Sequence, residues 1–285
     1  MEKKPGTLYL CATPIGNLED MTFRAVRVLK EAAVVAAEDT RHTRKLFSHF
    51  DIHTALVSYH EHNKATRGPE LVARLLAGDD VAVVSDAGLP GVSDPGADLV
   101  RLAVADGVPV VPVPGPNAAL TALVASGLDT AMFLFVGFLP RAGKKRRELL
   151  AALALLPYTL IFYESPHRMA ETLADLGAAF GNRAAAAGRE LTKKFEEFVR
   201  GPLADLEKHF SVRPPRGEFT LVVAGREAGT AVAAVPADEG DPVAAVAALV
   251  AGGVAKKEAI RQVAAERGLA RRELYQAVVA AENNK

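Results

Sequence analysis

The residues best placed to do chemistry follow a short apolar run, Val81-Ala82-Val83-Val84. The next segment, residues 86–96, contains three Gly, two Pro and two Asp. Glycine lets a backbone approach a ligand closely, and proline fixes the path of the chain. We expect a buried strand, a rigid loop, and a helix with Asp94 as its N-cap and Pro95 in its first turn. An ordinary strand–helix turn needs only a few residues, so this longer loop favours a ligand site.

Three further loops at predicted strand ends carry polar or rigid residues. They are Thr13-Pro14-Ile15-Gly16-Asn17, Glu38-Asp39-Thr40-Arg41-His42-Thr43 and Pro114-Gly115-Pro116-Asn117. In an open parallel sheet the carboxyl ends of the strands share one edge, and ligands bind there. The spacing therefore predicts that these loops meet residues 85–94 at one site.

The elements that must position these loops alternate along the chain. Apolar runs separated by amphipathic segments predict an α/β fold with a parallel sheet. The first helix is expected from Met21 to Ala33, with Asp20 as its N-cap. We expect an N-terminal α/β domain at 1–116, a second α/β domain at 117–227, a linker at 228–242 and a helical domain at 243–285.

Two regions are rich in basic residues. Arg141, Lys144, Lys145, Arg146 and Arg147 follow the apolar run at 133–138, and Lys256, Lys257, Arg271 and Arg272 lie in the tail. A basic run is usually a solvated face, but it can also follow the phosphates of a nucleic acid. The tail has helix–turn–helix spacing, which suggests contact with RNA phosphates. Packing of the tail on the rest of the protein or on a second copy remains the alternative.

Composition is that of an ordinary globular enzyme, with 49% hydrophobic residues, 24% charged residues and no net charge. Nucleic-acid binding would therefore need local charged patches. The single cysteine, Cys11, excludes a disulfide framework and thiolate zinc sites. The first residues have no apolar signal core, and no apolar run is long enough for a membrane span. We expect a cytoplasmic protein.

Common phosphate-binding motifs are missing from the sequence. There is no Gly-x-x-x-x-Gly-Lys-Ser/Thr loop and no Gly-x-Gly-x-x-Gly after the first strand. His60-Glu61-His62 could suggest a metal, but alternating residues in a polar loop are more typical of a solvated segment. We predict no metal site.

Five separated segments resemble the ribosomal RNA small subunit methyltransferase I family of the tetrapyrrole methylase superfamily. They are Thr13-Pro14-Ile15-Gly16-Asn17-Leu18, Ala37-Glu38-Asp39-Thr40-Arg41, Ser85-Asp86-Ala87-Gly88, Val113-Pro114-Gly115-Pro116 and Phe162-Tyr163-Glu164-Ser165-Pro166-His167-Arg168. The resemblance runs in order over about Gly6 to Val223, and the helical tail is also similar. Porphyrin-methylating members carry Gly-x-Gly-Pro-Gly-Asp after the first strand, where this chain has Thr13-Pro14-Ile15-Gly16-Asn17. The difference favours the RNA branch.

The resemblance implies two α/β domains with S-adenosylmethionine in the cleft between them. It also implies methyl transfer to the ribose 2′-oxygen of a cytidine in the decoding region of 16S RNA. Homodimers are usual in the superfamily. Carried onto this chain, the resemblance predicts that cofactor contacts come from Pro14, Asp86, Ala87, Gly88, Leu89, Ser93, Asp94, Pro114, Gly115, Asn117, Ala118 and Tyr163. Bulky side chains at Gly88 or Gly115 are expected to occupy ligand space.

A ribose hydroxyl is a weak nucleophile and benefits from a general base. Candidates at predicted strand ends are Glu38, Asp39, Glu164 and Glu190. Arg41, Arg168 and Arg189 could hold phosphates or pair with these carboxylates. Ion pairing alone would explain the same residues, and the sequence does not name the base.

Two other functions fit parts of the pattern. A methylase of porphyrin-like small molecules would bind tetrapyrroles and would not need the basic tail. An RNA-binding or assembly protein without catalysis would not bind the cofactor, although the loops at 85–94 and 114–117 look intact.

Overall fold

The computed structural model describes residues 4–212, 215–227, 241–267 and 269–283. The predicted linker therefore lies outside the described residues except for Asp241 and Pro242. In the part of the chain that is described, no helix has the length and apolar character needed to cross a membrane.

The first sheet has five parallel strands in the order β3-β2-β4-β1-β5. They are β1 (Leu8–Cys11), β2 (Val34–Ala37), β3 (Leu56–Ser58), β4 (Val81–Val84) and β5 (Val110–Val113). The crossovers that parallel strands require run through α1 (Phe23–Glu31), α2 (Thr40–Phe50), α3 (Lys64–Leu76) and α4 (Gly96–Ala105). The predicted α/β class and parallel sheet are confirmed.

Helices cover both faces of this sheet, so its central strands are buried. Alternate residues of a strand point to opposite faces. Val35 and Ala82 pack with α1 and α2, whereas Val34 and Val81 pack with α3 and α4. Every residue of β2 and β4 is buried, which explains their uninterrupted apolar sequences.

The second sheet is mixed, with strand order β6-β7-β10-β8-β9. Its strands are β6 (Phe133–Phe138), β7 (Thr159–Glu164), β8 (Ala184–Arg189), β9 (Glu197–Pro202) and β10 (Phe219–Val223). Only β6 and β7 pair in parallel, and the other pairs are antiparallel. The helices of this half are α6 (Lys144–Ala154), α7 (Met169–Phe180) and α8 (Leu203–Val212).

Helix α5 (Ala118–Ser126) brings the two sheets together. It follows β5 of the first sheet, yet Ala122 and Leu123 pack with Ile161 and Val222 of the second sheet. The helix begins where the Asn117 side chain accepts a hydrogen bond from the Leu120 N–H at 3.0 Å. The carboxyl edge of the parallel sheet therefore faces the second sheet.

The tail forms α9 (Pro242–Ala251), α10 (Lys256–Arg267) and α11 (Arg271–Asn283). Its buried apolar cluster contains only tail residues: Val246, Ala259, Ile260, Val263, Ala264, Leu274 and Val278. The tail thus has a core of its own.

The first helix starts later than the sequence predicted. Asp20 lies in a short 3-10 turn, and the Thr22 hydroxyl caps α1 by accepting from the Ala25 N–H at 3.1 Å. Because Thr22, two residues after Asp20, has a hydroxyl that can accept from a free N–H of the first turn, the helix begins after Thr22. The N-cap assigned to Asp20 was wrong.

Candidate active site

A cavity of about 430 Å³ opens between the two sheets at the carboxyl edge of the first. Volumes of this order are typical of small-molecule sites. From the first half, its lining includes Ile15, Glu38, residues 85–89, residues 92–94, Asn117 and Ala118. From the second half it includes Phe138, residues 163–166, Leu191 and residues 218–220. Three of the four predicted strand-end loops supply backbone or carboxylate groups here, and Ile15 comes from the fourth.

The loop at 85–94 is held by hydrogen bonds to its own backbone and to the first strand end. Thr13 and Gly88 form an antiparallel bridge with N–H···O distances of 2.9 and 3.1 Å. The φ angle of Gly88 is +80°, a conformation that costs a residue with a side chain about 1–2 kcal/mol. The loop therefore presents a fixed backbone to the cavity.

Asp94 closes the far end of this loop. Its Oδ1 accepts from the N–H of Gly91 at 2.8 Å and from the N–H of Gly96 at 2.7 Å. The N-cap position of α4 belongs to Pro95, which has no N–H and no polar side chain. The prediction placed the N-cap one residue too early, at Asp94, but the Asp94 carboxylate does accept from the first N–H of the helix.

Gly115 has a different role from the one expected. A Cβ atom on Gly115 would lie 2.8 Å from Cβ of Ala12, which directly follows β1, so it would clash inside the fold. Pro14, Pro114 and Gly115 do not line the cavity, whereas the other nine predicted cofactor residues do. The expectation that a side chain at Gly115 would enter ligand space was wrong.

Glu38 is half-buried at the cavity wall, among other acids. Burial raises the pKa of Glu38, and the negative charges of Asp86 and Asp94 raise it further. A hydrogen bond from the Asp86 backbone and the proximity of His60 act in the opposite direction. The Nδ1 atom of His60 is itself buried with no hydrogen-bond partner. A carboxylate with a raised pKa is better matched to proton abstraction near neutral pH.

Asp39 is occupied by helix capping and by Arg41. Its Oδ1 accepts from the Arg41 N–H at 2.8 Å, and its Oδ2 accepts from Arg41 Nη2 at 2.8 Å. These hydrogen bonds hold the pKa of Asp39 well below its usual range. The Arg41 side chain stays 84% exposed despite this pairing. Asp39 thus caps α2 and anchors Arg41, which leaves Glu38 as the better candidate for a base.

Glu164 lies at the end of β7 with its side chain fully buried. Its Oε1 accepts from the Ser165 N–H at 2.8 Å, and its Oε2 accepts from the Thr172 hydroxyl at 2.6 Å. The neighbouring Tyr163 ring contacts Phe135 and Phe138 edge-on, and burial raises the pKa of Tyr163. Tyr163 is an apolar wall, and the oxygens of Glu164 are engaged within the protein.

Glu190 and Glu218 share Lys193. The Lys193 ammonium lies 2.9 Å from Glu190 Oε1 and 2.8 Å from Glu218 Oε2. Burial pushes the pKa of Glu190 up, but bonds from Lys193 and the Glu218 N–H outweigh it and lower the pKa. Gly16 packs against this group, since a Cβ there would lie 2.4 Å from Lys193 Cγ. Glu190 does not line the cavity, so the group joins the two halves rather than serving as the base.

The other two arginines named from the sequence, Arg168 and Arg189, form hydrogen bonds within the second half of the chain. Arg189 donates to Glu197 at 3.1 Å and to the Arg216 carbonyl at 2.7 Å. Arg168 donates to the carbonyls of Leu139 and Pro140. Both guanidinium groups are therefore engaged within the protein.

The first basic run divides in two. Arg141, Lys144, Lys145 and Arg147 are exposed around the start of α6. Arg146, by contrast, is only 3% exposed and pairs with Asp175 at 2.5 Å. Its inclusion among RNA-contact residues is corrected, because a buried, paired guanidinium cannot reach a phosphate.

The basic tail residues predicted to contact RNA, unlike the first basic run, include no buried side chain. Lys257, Arg271 and Arg272 are exposed, and Lys256 is half-buried. Tyr275, one turn along α11 from Arg271 and Arg272, is 53% exposed. An aromatic ring beside cations is a common base-stacking surface.

Cys11 and the pair His60 and His62 are the other residues that could be considered for thiol or metal chemistry. Burial raises the pKa of Cys11 to about 12, so its thiol stays protonated. The His60 and His62 rings lie 6.0 Å apart. Among the described residues no three His, Cys, Asp or Glu side chains are placed to hold a metal.

From the second half, sequence reasoning named Tyr163 and Glu164 but missed other residues of the lining. Leu191, Phe219 and Thr220 line the cavity but have no chemical signature in the sequence. Leu191 lies between Glu190 and Thr192, which both have positive φ angles, +49° and +67°. Only this unusual backbone turn marks the segment, and it is visible only in the structure.

Comparison with known proteins gives consistent similarities. A family model described as Tetrapyrrole (Corrin/Porphyrin) Methylases matches residues 7–207. Ribosomal RNA small subunit methyltransferase I of Halalkalibacterium halodurans is 53% identical over 270 residues, covering 95% of this chain and 93% of that protein. The protein of the same name from Bacillus subtilis is 47% identical over 278 residues, covering 95% and 94%.

Solved structures show the same fold at lower identity. A diphthine synthase superposes with a TM-score of 0.62 at 14% identity, covering 77% of this chain and 90% of its own. A uroporphyrin-III C-methyl transferase from Thermus thermophilus, complexed with S-adenyl homocysteine, has a TM-score of 0.54 at 24% identity, covering 76% and 97%. These likenesses support the two-sheet arrangement described above.

Proposed function

The chain belongs to the tetrapyrrole methylase family and, within it, to the ribosomal RNA small subunit methyltransferase I group, and we propose that it methylates 16S ribosomal RNA. The acceptor we propose is the ribose 2′-hydroxyl of a cytidine in the decoding region. The observation that carries the proposal is the likeness at 53% identity along 95% of the chain to a protein named for this substrate. The methylated position is part of the proposal.

We propose that S-adenosylmethionine binds in the cavity between the sheets. The fit rests on the cavity's size of about 430 Å³, the fixed backbone at 86–89 and the apolar wall at Tyr163. Leu89, Asn117 and Ala118 would complete the contacts. When bound, this cofactor supplies a methyl group already activated by a sulfonium. The protein's contribution is then to hold the acceptor in line and to remove its proton.

Glu38 is the general base in this proposal. It lines the cavity, and burial beside Asp86 and Asp94 raises its pKa. Its carboxylate would take the proton of the acceptor hydroxyl as the oxygen becomes a nucleophile. Asp39 would position α2, and the exposed guanidinium of Arg41 would meet a phosphate at the rim of the cleft.

RNA would be held by two exposed basic surfaces. The first consists of Arg141, Lys144, Lys145 and Arg147 beside the cleft. The second lies on the tail and consists of Lys256, Lys257, Arg271 and Arg272, next to the ring of Tyr275. Phosphate contacts would give affinity and register, and the cleft would select the nucleotide.

We also propose that the protein is a cytoplasmic homodimer. Support comes from exposed apolar side chains on α5 and at the start of β6: Leu120, Val124, Met132 and Phe133 are 43–74% exposed. Apolar surface concentrated on one helix and one edge strand is typical of a face covered by a partner. The buried cysteine is consistent with a reducing compartment.

The test is methylation of small ribosomal subunits taken from a strain that lacks this enzyme. The protein is incubated with labelled S-adenosylmethionine, and the labelled nucleotide is mapped. We expect one labelled cytidine ribose in the decoding region. Naked 16S RNA and a porphyrin-type tetrapyrrole are run in parallel. Label in the tetrapyrrole alone would support the small-molecule alternative and overturn the proposal.

A further inference from the structure

A network of hydrogen-bonded polar side chains, mostly buried, runs from the cleft to the surface of α7. The Thr172 hydroxyl donates to Glu164 Oε2 at 2.6 Å, and Arg146 Nη2 donates to Thr172 Oγ1 at 3.0 Å. Arg146 Nε donates to Asp175 Oδ2 at 2.5 Å. Glu164, Thr172 and Arg146 are 2%, 0% and 3% exposed. Buried charges are tolerated only when they are paired and hydrogen-bonded, so this network has a defined geometry.

This network, together with Arg168, anchors the backbone carbonyls of Leu139 and Pro140. Arg146 Nη1 donates to the Pro140 carbonyl at 3.0 Å. Arg168 Nη2 donates to the carbonyls of Leu139 and Pro140 at 3.0 and 3.1 Å. Arg168 is in turn 3.7 Å from Glu164 Oε1. Two arginines therefore fix the start of the segment that joins β6 to α6. Arg168 lies next to Glu164, and Arg146 is linked to Glu164 through the Thr172 hydroxyl.

This segment connects the two parts of the molecule that the reaction would need. Phe138, immediately before it, lines the cavity. Arg141, within it, and Lys144 and Lys145, at the start of α6, are exposed. Between Arg141 and Lys144, Gly143 has a φ angle of +82°, and its carbonyl accepts from the Arg147 N–H at 3.2 Å. The exposed cations therefore lie between two fixed points, the anchored carbonyls of Leu139 and Pro140 on one side and the buried Arg146 on the other.

We propose that Glu164, Thr172, Arg146 and Asp175 are positioning residues that fix the segment at 139–145 beside the cleft. In that position its exposed cations bind the phosphates of the acceptor strand, while Phe138 walls the cavity. The inference rests on the proposed function. It gives Glu164 a positioning role in place of the catalytic role expected from sequence, because both of its oxygens accept hydrogen bonds within the protein.

The test compares Thr172→Val with Thr172→Ser. Valine keeps the shape but removes the hydroxyl that links Glu164 to Arg146, and serine retains it. We expect Thr172→Val to raise KM for small subunits several-fold, with kcat and the Kd for S-adenosylmethionine unchanged. Thr172→Ser and the control Glu171→Gln, an exposed neighbour on α7, should match the unmodified protein.

A double-mutant cycle separates positioning from stability alone. Thr172→Val is combined with Arg141→Ala, Lys144→Ala and Lys145→Ala. If the network acts through these cations, its loss adds little once they are gone. Thr172→Val should then reduce the salt dependence of subunit binding in the unmodified background but not in the background without the cations. Additive effects, or an equal loss of cofactor affinity, would overturn the inference.

Asp175→Asn provides a second approach should Thr172→Val not fold, because Asp175 is 39% exposed and its replacement removes only the charge facing Arg146. The same rise in KM is expected, and an unchanged KM would count against the inference. Failure of the proposed function would look different. The unmodified protein would then not methylate small subunits at all, whereas here it does and only the variants reveal the defect.

Discussion

The backbone N–H of Asp39 donates a hydrogen bond of 2.9 Å to Oδ1 of Asp86. This bond ties the loop after β2 to the loop after β4, which are neighbouring strands of the sheet. Glu38 therefore sits next to the Asp86 carboxylate at the cavity wall, where its pKa is raised. A structural bond between two loops thus creates the electrostatic setting of the candidate base.

Replacing Glu38 with Gln should lower kcat by about 10²–10⁴-fold, the range typical of a lost general base. Cofactor affinity should be nearly unchanged, because glutamine keeps the size of the side chain. Single-turnover methylation of small subunits and calorimetry with S-adenosylmethionine measure the two effects. Asp39→Asn is the matched control and should lose less turnover than Glu38→Gln. The reverse order would transfer the role of base to Asp39.

Replacing Asp86 with Asn should shift the pH dependence of methylation. Asparagine retains an oxygen for the Asp39 N–H but removes a negative charge that raises the pKa of Glu38. The pKa of Glu38 then falls, so its active, ionised form persists to lower pH. The acidic limb of kcat/KM should move to lower pH, while the remote Glu148→Gln leaves it in place. An unmoved limb in Asp86→Asn would show that another group controls the profile.

Substituting Ala for Gly88, Gly115 and Gly177 should give three different results. Ala at Gly115 should lower the melting temperature, since its Cβ would meet Ala12 at 2.8 Å. At Gly88, alanine has space but a strained φ of +80°, so cofactor binding should weaken by about 1–2 kcal/mol. In α7, Gly177 has open space, and alanine should stabilise the protein by roughly 0.5–1 kcal/mol. Thermal unfolding and calorimetry distinguish these outcomes, and equal destabilisation at all three sites would refute the assignment.

Truncation after Asp241 should weaken binding to small subunits and leave S-adenosylmethionine binding intact. The tail buries its apolar residues among themselves, so the α/β core should keep its stability. Arg271→Ala with Arg272→Ala should act in the same direction more gently. It should also reduce the salt slope of binding by about one per lost phosphate contact. Gln276→Ala on the same helix is the neutral control. Full methylation by the truncated chain at every salt concentration would make the tail purely structural.

The pattern of apolar runs in the sequence was enough to determine the architecture of the first sheet and the edge at which its loops meet. The runs Val34-Val35-Ala36-Ala37 and Val81-Ala82-Val83-Val84 are apolar throughout because helices cover both faces of a parallel sheet. Since parallel strands end at one edge, the loops after them had to converge. Eight of the cofactor residues that the resemblance predicted lie on or next to these loops and line the cavity.

Tertiary structure alone decided which of the acidic and basic candidates could act. Glu38 and Asp39 are adjacent in sequence, but Glu38 lies near the carboxylates of Asp86 and Asp94, whereas Asp39 binds Arg41. Arg146 sits within a basic run, yet it is buried through partners 26 and 29 positions away. Hydrogen bonds and burial depend on contacts between distant segments, and these determine pKa and accessibility. A local pattern carries the residue types but not these contacts, so it could name the candidates and not their roles.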